Sequence, residues 1–253
     1  MLTGNKLVPI AVKLKVLEAW VCTALLYNCE TFGNKIPQDL KTMYISLIKS
    51  CLGVRKNTPN LLVLLESNMR PLEAMIHARQ LNFFSNFKQN LKKGTARAIV
   101  FEELTKHRNS YLKHYTTIGE KYSSKQDVME KYRIDLVEKI TNLAASESNY
   151  KYNLYTKFNP NLLPLNVYDN NVFNQKFVRL RLSSHSFPIE LGRWTRMKRV
   201  DRLCSTCGVL GDEAHFIYSC TDIDRENLTD IPELSDLSSY DKLNLLLMNL
   251  KEY

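Results

Sequence analysis

Four residues near the C-terminus constrain this chain more than any other feature. Cys204, Cys207, His215 and Cys220 are spaced Cys-x2-Cys-x7-His-x4-Cys. Two thiolates two residues apart can face one ion from a tight turn, and Gly208 favours such a turn. His215 and Cys220 lie five apart, a separation that one helical turn with a loosened end brings to the same ion. Zinc takes four N or S donors in a tetrahedron at about 2.0–2.3 Å. Here protein fills all four positions and none is left for water, so the expected cofactor is a structural Zn2+ rather than a catalytic one. The plain alternative is three buried thiols and a surface histidine. Asp212 and Glu213 just before His215 either orient its imidazole or merely favour a helix start.

Charge concentrates around this cluster. Lys176 to Arg202 holds eight Lys/Arg and two acids, whereas Leu203 to Tyr253 holds three Lys/Arg and ten acids. The chain as a whole carries +9, which suits a polyanionic partner. Arg193, Arg196, Lys198, Arg199 and Arg202, with Trp194 among them, form a basic stripe beside the cysteines. Guanidinium groups bind phosphate bidentately and an indole stacks on an unpaired base, so these residues are candidate nucleic-acid contacts, joined by Arg179 and Arg181. The competing reading is a solvated face with Trp194 as a core plug. No apolar run approaches the ~20 residues that a bilayer needs, and charges interrupt the region where a signal peptide would have its core. The expected location is therefore nuclear or cytoplasmic, where Cys22, Cys29 and Cys51 read as core thiols rather than disulfides.

The rest of the chain reads as mainly α. Val8, Val12, Val16, Ala19, Thr23 and Tyr27 recur at helical spacing, with Gly33 placed to end that helix. Pro37 starts a second helix lined by Leu40, Met43, Tyr44, Leu47, Ile48, Cys51 and Leu52, which Gly53 stops. Thr58-Pro59-Asn60 offers a cap for residues 61–65, although that apolar run also fits a buried strand. Pro71 opens a longer helix with Leu72, Met75, Ile76, Phe83 and Phe87 along one side, and Trp20 and Phe83, Phe84 and Phe87 read as helix core. Residues 95–107 continue helically, Gly119 marks a loop, and Ser124 with Asp127 makes a weak capping box. Residues 146–170, rich in Asn, Tyr, Ser and Pro, read as an irregular strap. A helix over about 172–182 has a strand as its alternative, and a last amphipathic helix covers about 239–250. The expected architecture is a helical bundle over 1–148, a strap over 149–171, a small zinc-stabilised α+β module over 172–225 and an acidic C-terminal helix over 226–253. His77, His107, His114 and His185 show no partner spacing and read as ordinary.

Several stretches resemble a known family, the reverse transcriptases of non-LTR retrotransposons. Lys13-Leu-Lys-Val-Leu-Glu-Ala-Trp-Val-Cys-Thr-Ala-Leu-Leu-Tyr27 with Cys29-Glu-Thr-Phe-Gly33 is similar to the segment after the palm in that family. Ile48-Lys-Ser-Cys-Leu-Gly-Val-Arg-Lys-Asn-Thr-Pro-Asn60 and Glu66 to Leu72 are similar to the next pieces of the same family. Arg179-Leu-Arg-Leu-Ser-Ser-His-Ser-Phe-Pro-Ile-Glu-Leu-Gly-Arg-Trp194, with Arg202-Leu-Cys-Ser-Thr-Cys207 and Gly211-Asp-Glu-Ala-His-Phe216, resembles the family's C-terminal Cys/His module. The resemblance covers roughly 6–90 and 172–225. It departs at Asn28-Cys29, where the family often has Gly, and no Asp-Asp dipeptide exists to hold the two metal ions of a polymerase core.

The resemblance implies a thumb and C-terminal segment without its polymerase or endonuclease core, hence a chain with no catalysis of its own. It also implies Cys204, Cys207, His215 and Cys220 as zinc ligands. The expected function is binding of template RNA or target DNA, and a polymerase acting in trans is a further implied partner. With no long apolar run no membrane partner is expected, and with no Gly-rich phosphate loop, Gly-x-Ser-x-Gly or recognisable carboxylate pair no small-molecule substrate is expected. A zinc-stabilised protein-interaction adaptor and a non-functional remnant of a decayed element remain the alternatives.

Overall fold

The computed structural model describes residues 8–32, 35–106, 111–146, 148–164 and 174–221. Those residues are mainly α. The helices run α1 Ile10–Val16, α2 Cys22–Leu25, α3 Gln38–Leu52, α4 Asn60–Ser67, α5 Leu72–Gln89, α6 Ala96–Lys106, α7 Tyr111–Lys121, α8 Lys125–Ala144, α9 Tyr150–Phe158, α10 Asn174–Arg181, α11 Pro188–Trp194 and α12 Glu213–Tyr218. The β content among the described residues is an isolated antiparallel bridge between Leu203 and Leu210. No helix among them is long and apolar enough to cross a membrane. The expected stop at Gly33 and the expected helix over 239–250 lie outside the described residues.

Local chemistry explains most boundaries. Gly53 ends α3 at φ 66°, a conformation that suits a residue without Cβ. The 61–65 run is helix, because Pro59 at φ −58° sets the entry to α4. Thr58 does not cap it: its hydroxyl is buried and finds no hydrogen-bond partner among the described residues. The Ser124 box forms with a shift of one residue. Asp127 N–H donates to Ser124 Oγ at 3.1 Å, while the shorter Asp carboxylate accepts from Ser123 N–H at 2.8 Å.

Other expectations are corrected. The N-terminal apolar face is not Val12–Val16–Ala19–Thr23–Tyr27. Ile10, Leu14, Leu17, Cys22, Leu26 and Cys29 are buried instead, and Tyr27 is exposed. A π-helical turn over Leu17–Val21 lies between α1 and α2. Its extra residue per turn shifts the register, and Trp20 stands 78% exposed rather than in the core. Phe84 is buried but Phe83 and Phe87 are exposed, their rings stacked 6.3 Å apart. Gly119 lies inside α7, not in a loop. The strap contains α9, which buries Leu154, Tyr155 and Phe158; its aromatic and Asn-rich composition hides so short an apolar stripe.

The chain divides into two compact units. One takes Met1–Leu14, Leu47–Asn68 and Lys139–Tyr253; the other takes Lys15–Ser46 and Met69–Glu138. Set beside the expected boundaries, Met1–Leu14 and Leu47–Asn68 fall with the Cys/His segment, whereas Lys15–Ser46 and Met69–Glu138 make the other unit. In the second unit, Ala78, Leu81, Ile118, Tyr122 and Val128 form an apolar cluster, with Met129 and Tyr132 against it. Beside it, Tyr132 pairs with His77 Nδ1 at 2.9 Å, and buried Gln80 joins His114 to the Cys29 carbonyl.

In the first unit the frame is polar as well as apolar. Glu66, Glu190 and Glu213 are each at most 1% exposed. Helix α9 supplies a donor to all three. Tyr155 donates to Glu66 at 2.8 Å, Lys151 pairs with Glu190 at 2.8 Å, and Tyr150 donates to Glu213 at 2.7 Å. Arg181 completes the first of these sites, its Nε and Nη2 lying 3.0 and 3.1 Å from the two Glu66 oxygens. This pair ties α4 to α10 across 115 residues of sequence.

Removing one partner from a buried ion pair costs about 3–5 kcal/mol. Glu66→Ala is therefore expected to lower the urea midpoint by that equivalent at constant m, with Glu66→Gln intermediate because it keeps an acceptor for Tyr155. A second expectation concerns acid. Burial, then the neighbouring His114 and Lys121 charges, pushes His77 down to about 4. The unfolded chain takes up this proton near pH 6.5, the folded chain only near 4. The contribution is thus full above pH 6.5 and is lost as pH falls to 4, about 3 kcal/mol in all. Urea titrations at pH 7 and pH 4 should show this loss in the native chain and a smaller one in His77→Gln.

Candidate metal centre

Cys204 and Cys207 sit on a turn that the backbone closes twice. Cys204 N–H donates to the Val209 carbonyl at 2.7 Å, and Gly208 N–H donates to the Cys204 carbonyl at 2.9 Å. Gly208 takes φ 68°, where a side chain would be strained. Gly211 N–H then donates to the Arg202 carbonyl and Gly211 C=O accepts from Ile189, docking the turn on α11. A Cβ on Gly211 would lie 2.7 Å from Pro188 Cγ, so only glycine permits this approach.

The other two residues come from α12 and its end. Asp212 caps this helix, its Oδ1 accepting from His215 N–H at 2.9 Å. The helix ends at once: Ser219 and Cys220 N–H both donate to the His215 carbonyl, at 2.9 and 2.8 Å, which folds Cys220 back toward the imidazole. This is the loosened turn that the five-residue spacing requires.

The four donor atoms lie within 4.8 Å of one another. Cys220 Sγ is 3.8 Å from Cys204 Sγ and 3.9 Å from Cys207 Sγ. Those separations exclude a disulfide, and all six cysteines are free. They match the ~3.8 Å edge of a tetrahedron with metal–sulfur bonds of about 2.3 Å. His215 Nε2 is buried without a hydrogen-bond partner among the described residues. A buried ring nitrogen with no acceptor or donor is costly unless a metal takes its lone pair. Hydrogen bonds from the Thr221 hydroxyl and N–H hold the Cys207 thiol below its ordinary range, which favours the thiolate a metal needs. The three sulfurs and one imidazole can hold a metal ion, and together they offer four donor atoms.

Glu213 does not face His215. Its carboxylate accepts from His185 Nε2 at 2.9 Å and from Tyr150. His185 Nδ1 accepts from Phe187 N–H at 3.3 Å, which places the ring proton on Nε2. Burial alone would raise the Glu213 carboxyl; the His185 hydrogen bond and charge, with Tyr150, outweigh it and hold the group below its ordinary value. His185, expected to be ordinary, is thus part of the support. Phe187 stacks on Phe216 at 4.3 Å, and Phe216 meets the His215 ring edge-on at 5.3 Å.

The residues expected at a nucleic-acid interface separate into two kinds. Arg181 is 3% exposed and spent on Glu66, so its burial removes it from such a role. Arg202 is a clamp: it crosses Gly192 and donates to the carbonyls of Ile189 and Met197 at 2.7–3.1 Å. Arg193 pairs with Glu190 at 2.5 Å and lies over the Tyr150 ring. Arg196, Lys198 and Arg199 are exposed and pair with no acid among the described residues; Arg199 also lies over Tyr150. Trp194 is 46% exposed, not a core plug, with the Arg55 guanidinium 4.5 Å from its ring centre. Arg179 anchors its Nε on the Gly53 carbonyl at 2.7 Å. Neither Arg55 nor Glu190 carried a sequence signal, because their partners are remote or of unremarkable type.

No protein-family profile, curated protein or solved structure matches this chain.

Metal analysis of the purified chain is expected to give one zinc per molecule. Cys204→Ser/Cys207→Ser should lose the zinc and expose the 188–220 region to limited proteolysis. A folded native chain without metal would show that the cysteines are ordinary thiols.

Proposed function

We propose that this chain is a nucleic-acid-binding segment of a non-LTR retrotransposon reverse transcriptase, contacting template RNA or target DNA without catalysis of its own. In this reading Cys204, Cys207, His215 and Cys220 hold a structural zinc. The zinc would supply rigidity and no reaction step, since the protein fills every donor position. Arg196, Lys198 and Arg199 contact phosphate, a polymerase in trans being the natural partner.

The observation that carries this reading is the state of that basic turn. Its three charges are exposed and unpaired among the described residues, while the arginines on either side, Arg193 and Arg202, are tied to Glu190 and to backbone carbonyls. The turn is thus anchored at both ends, one of them against the Cys/His cluster, and its charge is left for an external anion. The sequence resemblance around 179–216 points the same way.

Binding should fall steeply with salt. Each phosphate contact contributes about 0.7 to the log–log slope on single strands, so these three contacts alone contribute at least about a 20-fold loss between 50 and 200 mM salt. Fluorescence anisotropy on a labelled RNA, with Arg196→Glu/Arg199→Glu as comparison, checks this. The double variant is expected to abolish binding while retaining its metal. A flat salt dependence in the native chain, or charge reversal without effect, would overturn the reading; a protein contact surviving charge reversal would favour an adaptor.

A further inference from the structure

A second basic feature lies outside that turn. It starts at the Gly53 bend, where Arg55 and Lys56 come just after α3. Arg55 is held by two serines remote in sequence: its N–H donates to Ser184 Oγ at 2.8 Å and its Nη2 to Ser186 Oγ at 3.4 Å. Its Nη1 is buried and has no hydrogen-bond partner among the described residues. Arg179 stands close by, and after burial the Arg55 charge is the next influence lowering its affinity for its proton. Neither arginine pairs with an acid among the described residues. Arg179 places Nε on the Gly53 carbonyl, and the residue is exposed, with no partner for its terminal nitrogens among the described residues.

Two guanidinium groups held together without an acid repel one another, and a buried N–H without an acceptor costs further. An anion seated beside the two guanidinium groups relieves their repulsion. A phosphodiester has the planar pairs of oxygens that an arginine fork takes bidentately. Above Arg55 lies the Trp194 indole, one face on the guanidinium and nearly half its surface open. An indole so placed stacks on an unpaired base, whereas a duplex keeps its bases to itself.

We propose that Arg55, Arg179 and Trp194 form a site for one nucleotide of single-stranded nucleic acid, the arginines taking the phosphodiester and the indole the base. This rests on the nucleic-acid reading above and adds to it a position, a strandedness and a residue, Arg55, that the basic stripe does not contain.

The chain has two tryptophans, so Trp20→Phe makes Trp194 the only reporter. Full-length Trp20→Phe protein is titrated with 12-nucleotide oligo(U), oligo(dT), a 12-base-pair duplex and inorganic phosphate, reading indole fluorescence and the anisotropy of end-labelled oligomer. Single strands are expected to quench Trp194 and the duplex to leave it unchanged. Arg55→Gln and Arg179→Gln should each weaken binding about tenfold and reduce the salt slope by about 0.7. Trp194→Ala should keep the slope and lose roughly 5- to 100-fold in affinity. Circular dichroism and zinc content verify folding, and Arg179→Gln, at an exposed position, serves if Arg55→Gln is unstable. Binding with unchanged slope in both arginine variants overturns this site and leaves the 196–199 turn standing. A response to phosphate equal to that of the oligomers overturns the nucleotide assignment. Absence of salt-dependent binding in the native chain overturns this site and the wider reading together.

Discussion

Three thiols and an imidazole drawn within 4.8 Å of one another form a donor set that could hold a metal ion. As thiolates they repel; as thiols they leave His215 Nε2 buried without a hydrogen-bond partner among the described residues. The geometry of everything nearby serves this convergence. Gly208 permits the turn between the first two donors, Gly211 brings that turn against Pro188, and Asp212 starts a helix whose abrupt end returns Cys220. The segment contains one β-bridge and one six-residue helix, too little regular structure to order itself by apolar burial.

Around the cluster, three buried carboxylates do what a larger apolar core would do elsewhere. Each ties segments far apart in sequence, and α9 contributes to all of them through Tyr150, Lys151 and Tyr155. Buried charge is a weak source of net stability but a strict one of register, because an unpaired partner is expensive. Such pairs allow only a narrow range of helix positions. They also hold two arginines as framework, Arg181 on Glu66 and Arg193 on Glu190, whereas Arg196, Lys198 and Arg199 pair with no acid among the described residues.

Much of this was legible in the sequence. The Cys/His spacing identified the donor set, because ligands close in sequence are close in space whatever the remaining fold. Pro37, Gly53, Pro59 and Pro71 marked helix limits, because their backbone preferences act locally. The reading failed where a local pattern was ambiguous. Two apolar stripes compete in the first helix, and a π-helical turn decides between them. In α9 the buried residues are two aromatics and a leucine among Asn and Lys, too short a stripe to stand out.

The sequence alone therefore determined the helical class, the four convergent donors and the uneven placement of charge, all of which depend on residues within about one turn or loop of each other. The tertiary structure alone decided what each charge is for. Arg181 and Arg179 are two residues apart, yet one is buried on Glu66 and the other is exposed at the Gly53 carbonyl. Arg55 meets Trp194 only because α4, α10 and α11 share a unit with the Cys/His segment. Electrostatic partnership depends on distance through space and on burial, and neither is written in the order of the residues.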